Sequence, residues 1–282
     1  MLREDSSFAL LDRRAPTFDG TFHLHPEMEI TLIESSVGRR VVGDSVDAFQ
    51  PGDLVLLGEN LPHQYLGDGV ARARPARAKV IQFRREFLGE HFLKAPELQS
   101  VHALFDRASR GLVFSPQATA DAHKTISQIF SATGLPRLLR LLELLARLAG
   151  DEKARPIASE GYRSGLNSHE SAVINRALKY MDTHLDQPLS HDDLCRHLGM
   201  APATCNRLFR KSLRRPFKAM LLEMRISRAC RLLLATDRSV IDIAEASGFP
   251  NLSNFNRRFR ILKSTTPRGF RAAAKHRIAP GA

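Results

Sequence analysis

Three histidines and two glutamates near the start of the chain are the side chains best suited to bind a ligand. His23, His25, Glu27 and Glu29 follow one another at intervals of two residues. Residues two apart on a β-strand point to the same face, and His63, after a proline, can approach from another strand. Imidazole and carboxylate groups suit both metal ions and hydroxyl-bearing ligands. We therefore predict an effector pocket, with a metal site or simple packing as the alternatives.

A second group of polar side chains lies in the last third of the chain, on two predicted helices. Asparagine pairs bidentately with adenine and arginine with guanine, so such a helix face suits the major groove of DNA. We predict base-edge contacts for Asn206, Arg207, Asn254 and Arg257, and phosphate contacts for Arg210 and Arg260. The complete predicted DNA-binding set is Ala203, Thr204, Asn206, Arg207, Arg210, Asn251, Ser253, Asn254, Asn256, Arg257 and Arg260.

These two helices belong to an internal repeat. Residues 194–200 read LCRHLGM and residues 243–249 read IAEASGF, and the copies end in RLFR and RRFR, respectively. In each copy an apolar stripe at helical spacing is interrupted by a glycine, Gly199 or Gly248, and then resumes. A glycine that can adopt left-handed geometry between two amphipathic helices is typical of a helix-turn-helix. The repeat therefore predicts two helix-turn-helix units.

Residues 170–271 resemble the DNA-binding domain of the AraC/XylS-type transcription regulators. The matching signatures occur in the family's order: Pro188-Leu189-Ser190, Leu198-Gly199-Met200, Arg207-Leu208-Phe209-Arg210, Arg225-Ile226, Ala229, Leu232-Leu233, residues 236–240, Ile243-Ala244, Gly248-Phe249, Ser253, Phe255, Arg257, Phe259-Arg260, Thr266-Pro267 and Phe270-Arg271. The resemblance implies an all-α domain in which a long helix, predicted over residues 218–236, joins two DNA-reading units. Such units can enter successive major grooves, about one helical turn apart.

The chain departs from this family pattern at three positions. Ala201 replaces the serine that usually caps the first reading helix, a change that costs about 1 kcal/mol, and Pro202 at the first helical position compensates in part. Arg214 and Ser264 replace the glycines that usually follow the reading helices. We expect strain at these two positions if they adopt left-handed geometry.

The charge of the chain is unevenly distributed. Of 42 Lys and Arg and 30 Asp and Glu, residues 1–167 hold 21 of each kind, and residues 168–282 hold 21 basic against 9 acidic residues. A basic surface attracts a polyanion, and the repeat favours double-stranded DNA over RNA or an acidic membrane. No apolar run has the length of a signal peptide or a membrane span, so we expect a cytoplasmic protein without a membrane partner.

The first 85 residues contain short apolar segments separated by turn signals, and these predict β-structure. The predicted strands cover residues 22–25, 30–33, 39–42, 46–49, 54–57 and 80–83, and residues 72–79 are predicted to form a loop. The His-x-His, the glutamates and the later Pro62-His63 resemble the two cupin motifs. Many short strands suggest a small barrel or jelly roll, and the resemblance implies a cupin-like barrel over residues 6–85 that serves as a sensor.

Helices are predicted over residues 97–110, 115–132 and from Pro136 to about residue 149. The last is rich in leucine, and Leu138 with Leu145, and Leu135 with Leu142, repeat at seven residues. Such a helix is either buried or paired with its twin in a second subunit, and the family resemblance favours a homodimer. Residues 151–168 are polar and rich in Gly, Pro and Ser, which predicts a linker.

The three cysteines do not have zinc-site spacing. Cys195, Cys205 and Cys230 all occupy apolar helix positions, and unpaired cysteine is among the most buried residue types. We interpret them as core residues, with redox sensing as the alternative.

Together these patterns predict a two-domain α+β protein that is not an enzyme and needs no cofactor. Residues 1–150 form a cupin-like effector-sensing and dimerisation domain, residues 151–168 a linker, and residues 169–275 a double helix-turn-helix domain. The expected function is effector-controlled transcription regulation. The family resemblance further implies a sugar as effector, activation as the mode and RNA polymerase as a further partner. Two alternatives stay open: a cupin metalloenzyme fused to a DNA-binding module, and a constitutive DNA-binding protein with a vestigial barrel.

Overall fold

A computed structural model describes residues 6–15, 17–18, 20, 22–67, 75–89, 91–162, 168–213 and 216–276. The N-terminal part is rich in strands and the C-terminal part is helical, which confirms the two-part α+β organisation. None of the helices in these ranges is long and apolar enough to cross a membrane.

The strands form two antiparallel sheets. The first sheet has the order β1-β7-β2-β5-β8-β9 and the second has the order β4-β3-β6. Their bounds are β1 Phe8–Ala15, β2 Met28–Ser35, β3 Gly38–Val42, β4 Ser45–Phe49, β5 Leu54–Leu57, β6 His63–Gly67, β7 Ala76–Phe83, β8 Leu112–Val113 and β9 Arg155–Pro156. The strands β2 and β5 lie in the middle of the first sheet and are buried along most of their length, as expected for apolar runs covered on both faces.

Several expectations for this part need correction. The ladders of the described residues form two separate sheets, not a closed cupin-like barrel. Residues 22–25 do not form a strand, because they make only one isolated bridge, between His23 and His63. The predicted loop at residues 72–79 is also wrong from Ala76 onward, where β7 begins; residues 72–74 lie outside the described ranges.

Three helices cover one face of the first sheet. They are α1 Gln99–Arg107, α2 Pro116–Ser131 and α3 Gly134–Ala149, close to the predicted bounds, and single 3-10 turns occupy Phe92–Lys94, Pro96–Leu98 and Ala108–Arg110. Leu141, Leu144, Leu145 and Leu148 of α3 are buried in the same core as the sheet. Leu135 and Leu139 lie on the opposite side of α3 and are 65% and 55% exposed.

Residues 151–162, the described part of the predicted linker, pack against the rest of the chain. Strand β9 extends the first sheet by pairing with β8. The Tyr162 side chain is only 1% exposed, and its hydroxyl donates a hydrogen bond of 3.0 Å to the carbonyl oxygen of Ser212. This segment therefore connects the sheets to the helical part through ordered contacts.

The helical part consists of seven helices in the described ranges. They are α4 Ser168–Thr183, α5 His191–Leu198, α6 Pro202–Leu213, α7 Phe217–Ala235, α8 Val240–Ala246, α9 Leu252–Lys263 and α10 Pro267–His276. One apolar core joins α4, α5, α6 and the start of α7. A second joins the rest of α7 with α8 and α9. The long helix α7 therefore contributes to both cores, within one residue of its predicted bounds.

The boundaries of the helix-turn-helix units follow from local capping. Ser190 caps α5 in a capping box with Asp193, as Ser239 caps α8 with Asp242, which satisfies backbone donors at the helix start. The helix α5 ends at Gly199, in the left-handed region at φ 66°. Ser264, after α9, adopts left-handed geometry, with φ 55°, so the condition under which strain is expected at this position is met. Arg214 lies outside the described residues.

Candidate functional sites

The histidine cluster, defined here as His23, His25 and His63 with Glu29, forms where β2, β6 and the segment before β2 meet. The imidazole centroids of His23 and His63 are 4.3 Å apart, and those of His25 and His63 are 5.1 Å apart. His23 and His63 exchange two backbone hydrogen bonds of 3.0 and 2.8 Å. The structure therefore brings these four predicted effector residues together, although the first two do not lie on a strand.

Glu29 is buried in this cluster with a full set of donors. Its carboxylate accepts hydrogen bonds from Thr31 Oγ1 at 2.7 Å and from Gln82 Nε2 at 2.8 Å, and it lies 3.1 Å from His25 Nε2. Burial alone would raise the pKa of Glu29, but the hydrogen bond from His25 and the neighbouring charges hold it well below its usual range. Glu29 is thus an ionised carboxylate inside the protein.

His25 is the hydrogen-bonded partner of Glu29 in the cluster. Its Nδ1 donates to the Glu27 carbonyl oxygen at 2.9 Å, and the Glu27 carboxylate, at 3.6 Å from Nδ1, adds a weaker contact. Burial opposes the charged form, but the hydrogen bond to Glu29 and the negative charges of Glu29 and Glu27 together outweigh it and raise the pKa of His25. Glu27 therefore lies at the edge of the cluster, where its negative charge favours the protonated form of His25.

His63 has a different role, because it is buried and neutral. Its Nδ1 donates to the Leu61 carbonyl oxygen at 2.8 Å, which leaves Nε2 as an acceptor. Burial lowers the pKa of His63 to about 3. Within the described residues Nε2 makes no hydrogen bond, and the nearest carboxylate oxygen, on Glu29, is 3.8 Å away. A buried acceptor without a donor is unusual, and it can receive a ligand hydroxyl or a metal ion.

The three imidazoles have the donor types of a metal site. Each offers a nitrogen, and these atoms lie within 4.8 Å of one another. The geometry is therefore compatible with the metal alternative as well as with an organic ligand. Sequence analysis missed two neighbours of this site, Thr31 and Gln82. Gln82 pairs with Glu29 in the β2–β7 ladder, a relationship that depends on strand register and has no local sequence signal.

The first candidate DNA-reading helix, α6, presents the predicted face to solvent. Its buried side carries Cys205, Leu208 and Phe209. All five residues predicted on its other side are exposed: Ala203, Thr204, Asn206, Arg207 and Arg210. Positions 203, 206, 207 and 210 are three or four residues apart, so they form one continuous stripe.

The second candidate reading helix, α9, presents a more varied face. Ser253, Arg257 and Arg260 are exposed, whereas Asn256 is half-buried. Asn251 is the N-cap, and its side-chain oxygen accepts a hydrogen bond from the Asn254 backbone at 2.8 Å, so it also fixes the start of the helix. Asn254 is half-buried, and it lines a cavity of about 380 Å³ together with His191, Phe217 and Arg258.

Similarity to known proteins agrees with this geometry. Residues 194–273 match the family described as Helix-turn-helix domain. The HTH-type transcriptional regulator ArgR of Pseudomonas aeruginosa is 28% identical over 149 residues, which are 48% of this chain and 45% of that protein. The Melibiose operon regulatory protein of Escherichia coli is 23% identical over 282 residues, covering 95% of this chain and 88% of that protein. These relatives are named as regulators and not as enzymes, as predicted.

Among solved structures, a transcriptional regulator of Chromobacterium violaceum described as having an AraC-type DNA-binding domain is 31% identical. The match covers 41% of this chain and all of that chain, with a TM-score of 0.37. The chain spans less than half the length of the ArgR relative. Residues 194–273 therefore form a helix-turn-helix domain of this family, as the resemblance to the AraC/XylS-type regulators predicted.

Proposed function

We propose that the chain is a sequence-specific transcription regulator that binds double-stranded DNA through α6 and α9. The supporting observation is that each helix-turn-helix unit buries one side of its second helix and exposes a side rich in arginine, asparagine and small polar residues. Arg207 and Arg257 are exposed on their helices and are proposed to read base edges, together with Asn206 and Asn254. The other predicted residues of these faces complete the interface.

Arg260 is proposed to hold the DNA backbone. It lines a cavity of about 370 Å³ with Arg268 and Thr266 at the start of α10, where the Thr266 hydroxyl accepts a hydrogen bond from the Gly269 backbone. Two arginines beside a helix N-terminus favour a phosphate group. Arg210 occupies the same relative place at the end of the first reading face and is proposed to do the same.

The histidine cluster is proposed to bind the effector. The supporting observation is the buried Nε2 of His63, which has no hydrogen-bond partner among the described residues and lies beside the ionised Glu29. An acceptor and a carboxylate side by side can receive two hydroxyl groups of a ligand. His23, His25 and Glu27 complete the proposed site. A sugar fits this chemistry, and the similarity to a protein named for the melibiose operon supports the same class.

The segment that contains His23 and His25 offers a route from effector to DNA-binding domain. Phe22 and Leu24 alternate with these histidines and are each 2% exposed. Both belong to the buried cluster that contains Phe209 of α6 and the residues of α4 and α5. A ligand that shifts the two histidines therefore also shifts Phe22 and Leu24, whose side chains pack in the core of the first helix-turn-helix unit.

The remaining partners are proposed from the surface and from the family resemblance. The exposed leucines of α3 are proposed to pair with a second copy of the chain. Activation, with a contact to RNA polymerase, is proposed because it is the commoner mode of the family that the chain resembles. We also propose that the protein acts in the cytoplasm.

A screen of sugars by thermal shift tests the effector proposal. A ligand that binds only the folded protein raises its melting temperature, and we expect the responding sugar to change the affinity of the protein for its operator DNA. With His63→Ala the sugar concentration for a half-maximal response should rise, because the effector acts only through its differential affinity for the two states. An unchanged concentration, with folded protein, would place the effector site elsewhere.

The two alternative functions, a metalloenzyme and a constitutive DNA-binding protein, predict different experimental results. A metalloenzyme requires stoichiometric Fe, Mn, Ni or Zn that is lost in His63→Ala. A constitutive DNA-binding protein shows operator affinity that no ligand alters.

A further inference from the structure

Two cysteines and a histidine meet inside the first helix-turn-helix unit. His191 and Cys195 lie one turn apart on α5, and Cys205 lies on α6. Their ligand atoms are all within 4.8 Å of one another, and Cys195 Sγ is 3.6 Å from Nδ1 and 3.7 Å from Nε2 of His191. We call these three residues the thiol–imidazole cluster. It is separate from the histidine cluster and from the DNA-facing side of α6.

The second helix-turn-helix unit shows which residue types can pack at the equivalent positions of this fold. The two units can be aligned on their N-cap serines, Ser190 and Ser239, and on the phenylalanines Phe209 and Phe259, which are both 1% exposed or less. In this alignment the positions of the cluster are occupied in the second unit by Val240, Ala244 and Phe255. Apolar residues therefore satisfy the packing, and the first unit has a metal-binding side chain at all three positions.

The observed spacing suits a tetrahedral metal ion. Zinc binds thiolate sulfur at about 2.3 Å and imidazole nitrogen at about 2.0–2.1 Å, so tetrahedral angles place sulfur and nitrogen about 3.6 Å apart. The distance between Cys195 Sγ and His191 Nδ1 is 3.6 Å. A disulfide between the two cysteines would use the thiols but would leave the histidine without a role.

An ion can reach the cluster from the side of His191. The cysteines are 3% and 0% exposed, whereas the His191 side chain is 20% exposed. His191 also lines the cavity of about 380 Å³ between the two helix-turn-helix units, with Phe217 and Asn254 among its other residues. The histidine of the cluster is therefore accessible from this cavity, which gives an ion an approach to the site.

We propose that His191, Cys195 and Cys205 bind one thiophilic divalent cation of the zinc class, which ties α5 to the reading helix α6. On binding, each cysteine releases its proton to solvent, and neutral His191 coordinates through one ring nitrogen. Two thiolates cancel the charge of the ion, so the buried site is neutral overall and avoids the cost of an unpaired charge. The ion would thereby fix the orientation of the first DNA-reading helix.

Cadmium titration of the reduced, full-length, metal-free protein tests this proposal. We expect one equivalent of Cd²⁺ to produce the ultraviolet charge-transfer band of thiolate–cadmium coordination, a signal that the histidine cluster cannot give. Cys195→Ala and His191→Val introduce the residues found in the second unit and should weaken the band or remove it. Cys230→Ala, which changes the third buried cysteine, should retain it.

A thermal measurement provides the second readout. Zn²⁺ should raise the melting temperature of the wild-type protein and of Cys230→Ala more than that of Cys195→Ala, because an ion that binds only the folded state stabilises it, and an ion at the histidine cluster would stabilise all three proteins alike. If Cys195→Ala does not fold, the partly exposed His191→Val variant decides the question. The proposal is overturned if folded wild-type protein gives no stoichiometric band, if the band survives in His191→Val and Cys195→Ala, or if it depends on Cys230.

Discussion

Gly248 lies directly against the carbonyl oxygen of Leu185. A Cβ atom at position 248 would be 1.8 Å from that oxygen and 2.7 Å from Nε of Arg225. The same carbonyl accepts a hydrogen bond of 2.9 Å from Arg225 Nε, and the Arg225 guanidinium also donates to the Gln187 carbonyl oxygen at 2.6 Å. The turn of the second helix-turn-helix unit therefore packs against residues 185–187, which precede the first unit.

Alanine substitution should distinguish the two turn glycines. Gly199 and Gly248 have φ angles of 66° and 78°, and an added Cβ at Gly199 meets nothing within 4 Å. We expect Gly199→Ala to cost about 1 kcal/mol through backbone strain alone. Gly248→Ala should cost at least about 2–3 kcal/mol, because backbone atoms must also move. Denaturant unfolding measures both, and equal losses would contradict the close packing at Gly248.

The two arginines assigned to different DNA contacts should fail in different ways. Loss of a base-reading side chain in Arg207→Ala should cost about 1–3 kcal/mol on cognate DNA and relax the preference at one base pair. Loss of a phosphate contact in Arg260→Ala should weaken binding to all sequences alike and reduce the salt slope by about 0.9. Binding titrations on cognate and random DNA at several salt concentrations make the comparison. Equal losses on both DNAs for Arg207→Ala would remove it from the base edges.

The helical part could be predicted closely because its signals are local. The helix α7 runs from Phe217 to Ala235, against a prediction of residues 218–236, and the capping box of Ser190 and Asp193 was readable from two residues three apart. Apolar spacing and cap residues need no knowledge of distant contacts.

The sheet part was less predictable because strands depend on partners far away in the chain. Residues 22–25 have an apolar–polar alternation that predicts a strand, yet Phe22 and Leu24 pack into the core of the helix-turn-helix part and only one bridge forms. Strands β1 and β6 were missed, although β6 begins at His63 of the predicted site. The spacing of two residues nevertheless predicted that His23 and His25 lie on one side of an extended backbone, and the resemblance to the cupin motifs implied that His63 joins them.

The exposed face of α3 should mediate self-association. Leu139 is 55% exposed, whereas Leu142 is half-buried, so Leu139→Asp tests the surface with less damage to the core. An aspartate in an apolar contact between two copies is strongly unfavourable, and we expect the variant to sediment as a folded monomer. Ile241→Asp is the matched control, since Ile241 is 53% exposed on α8. An unchanged dimer of Leu139→Asp would exclude this face.

The buried neutral state of His63 should make stability depend on pH. Its pKa falls from 6.5 to about 3 on folding because burial penalises the imidazolium. Between these values the unfolded chain binds a proton at this residue and the folded protein does not, so acid favours unfolding. Above pH 6.5 both states are neutral and the contribution is constant.

We therefore expect wild-type protein to lose stability relative to His63→Asn as the pH falls from 6.5 towards 3. Asparagine removes the titrating group while keeping a donor for the Leu61 carbonyl oxygen. Both proteins retain Glu29 and His25, and the comparison is made by urea unfolding across this range. His123→Asn, at an exposed histidine on α2, should instead follow the wild-type protein at every pH. A stability difference between wild type and His63→Asn that is constant from pH 6.5 to 3 would mean that His63 is not held neutral by its surroundings.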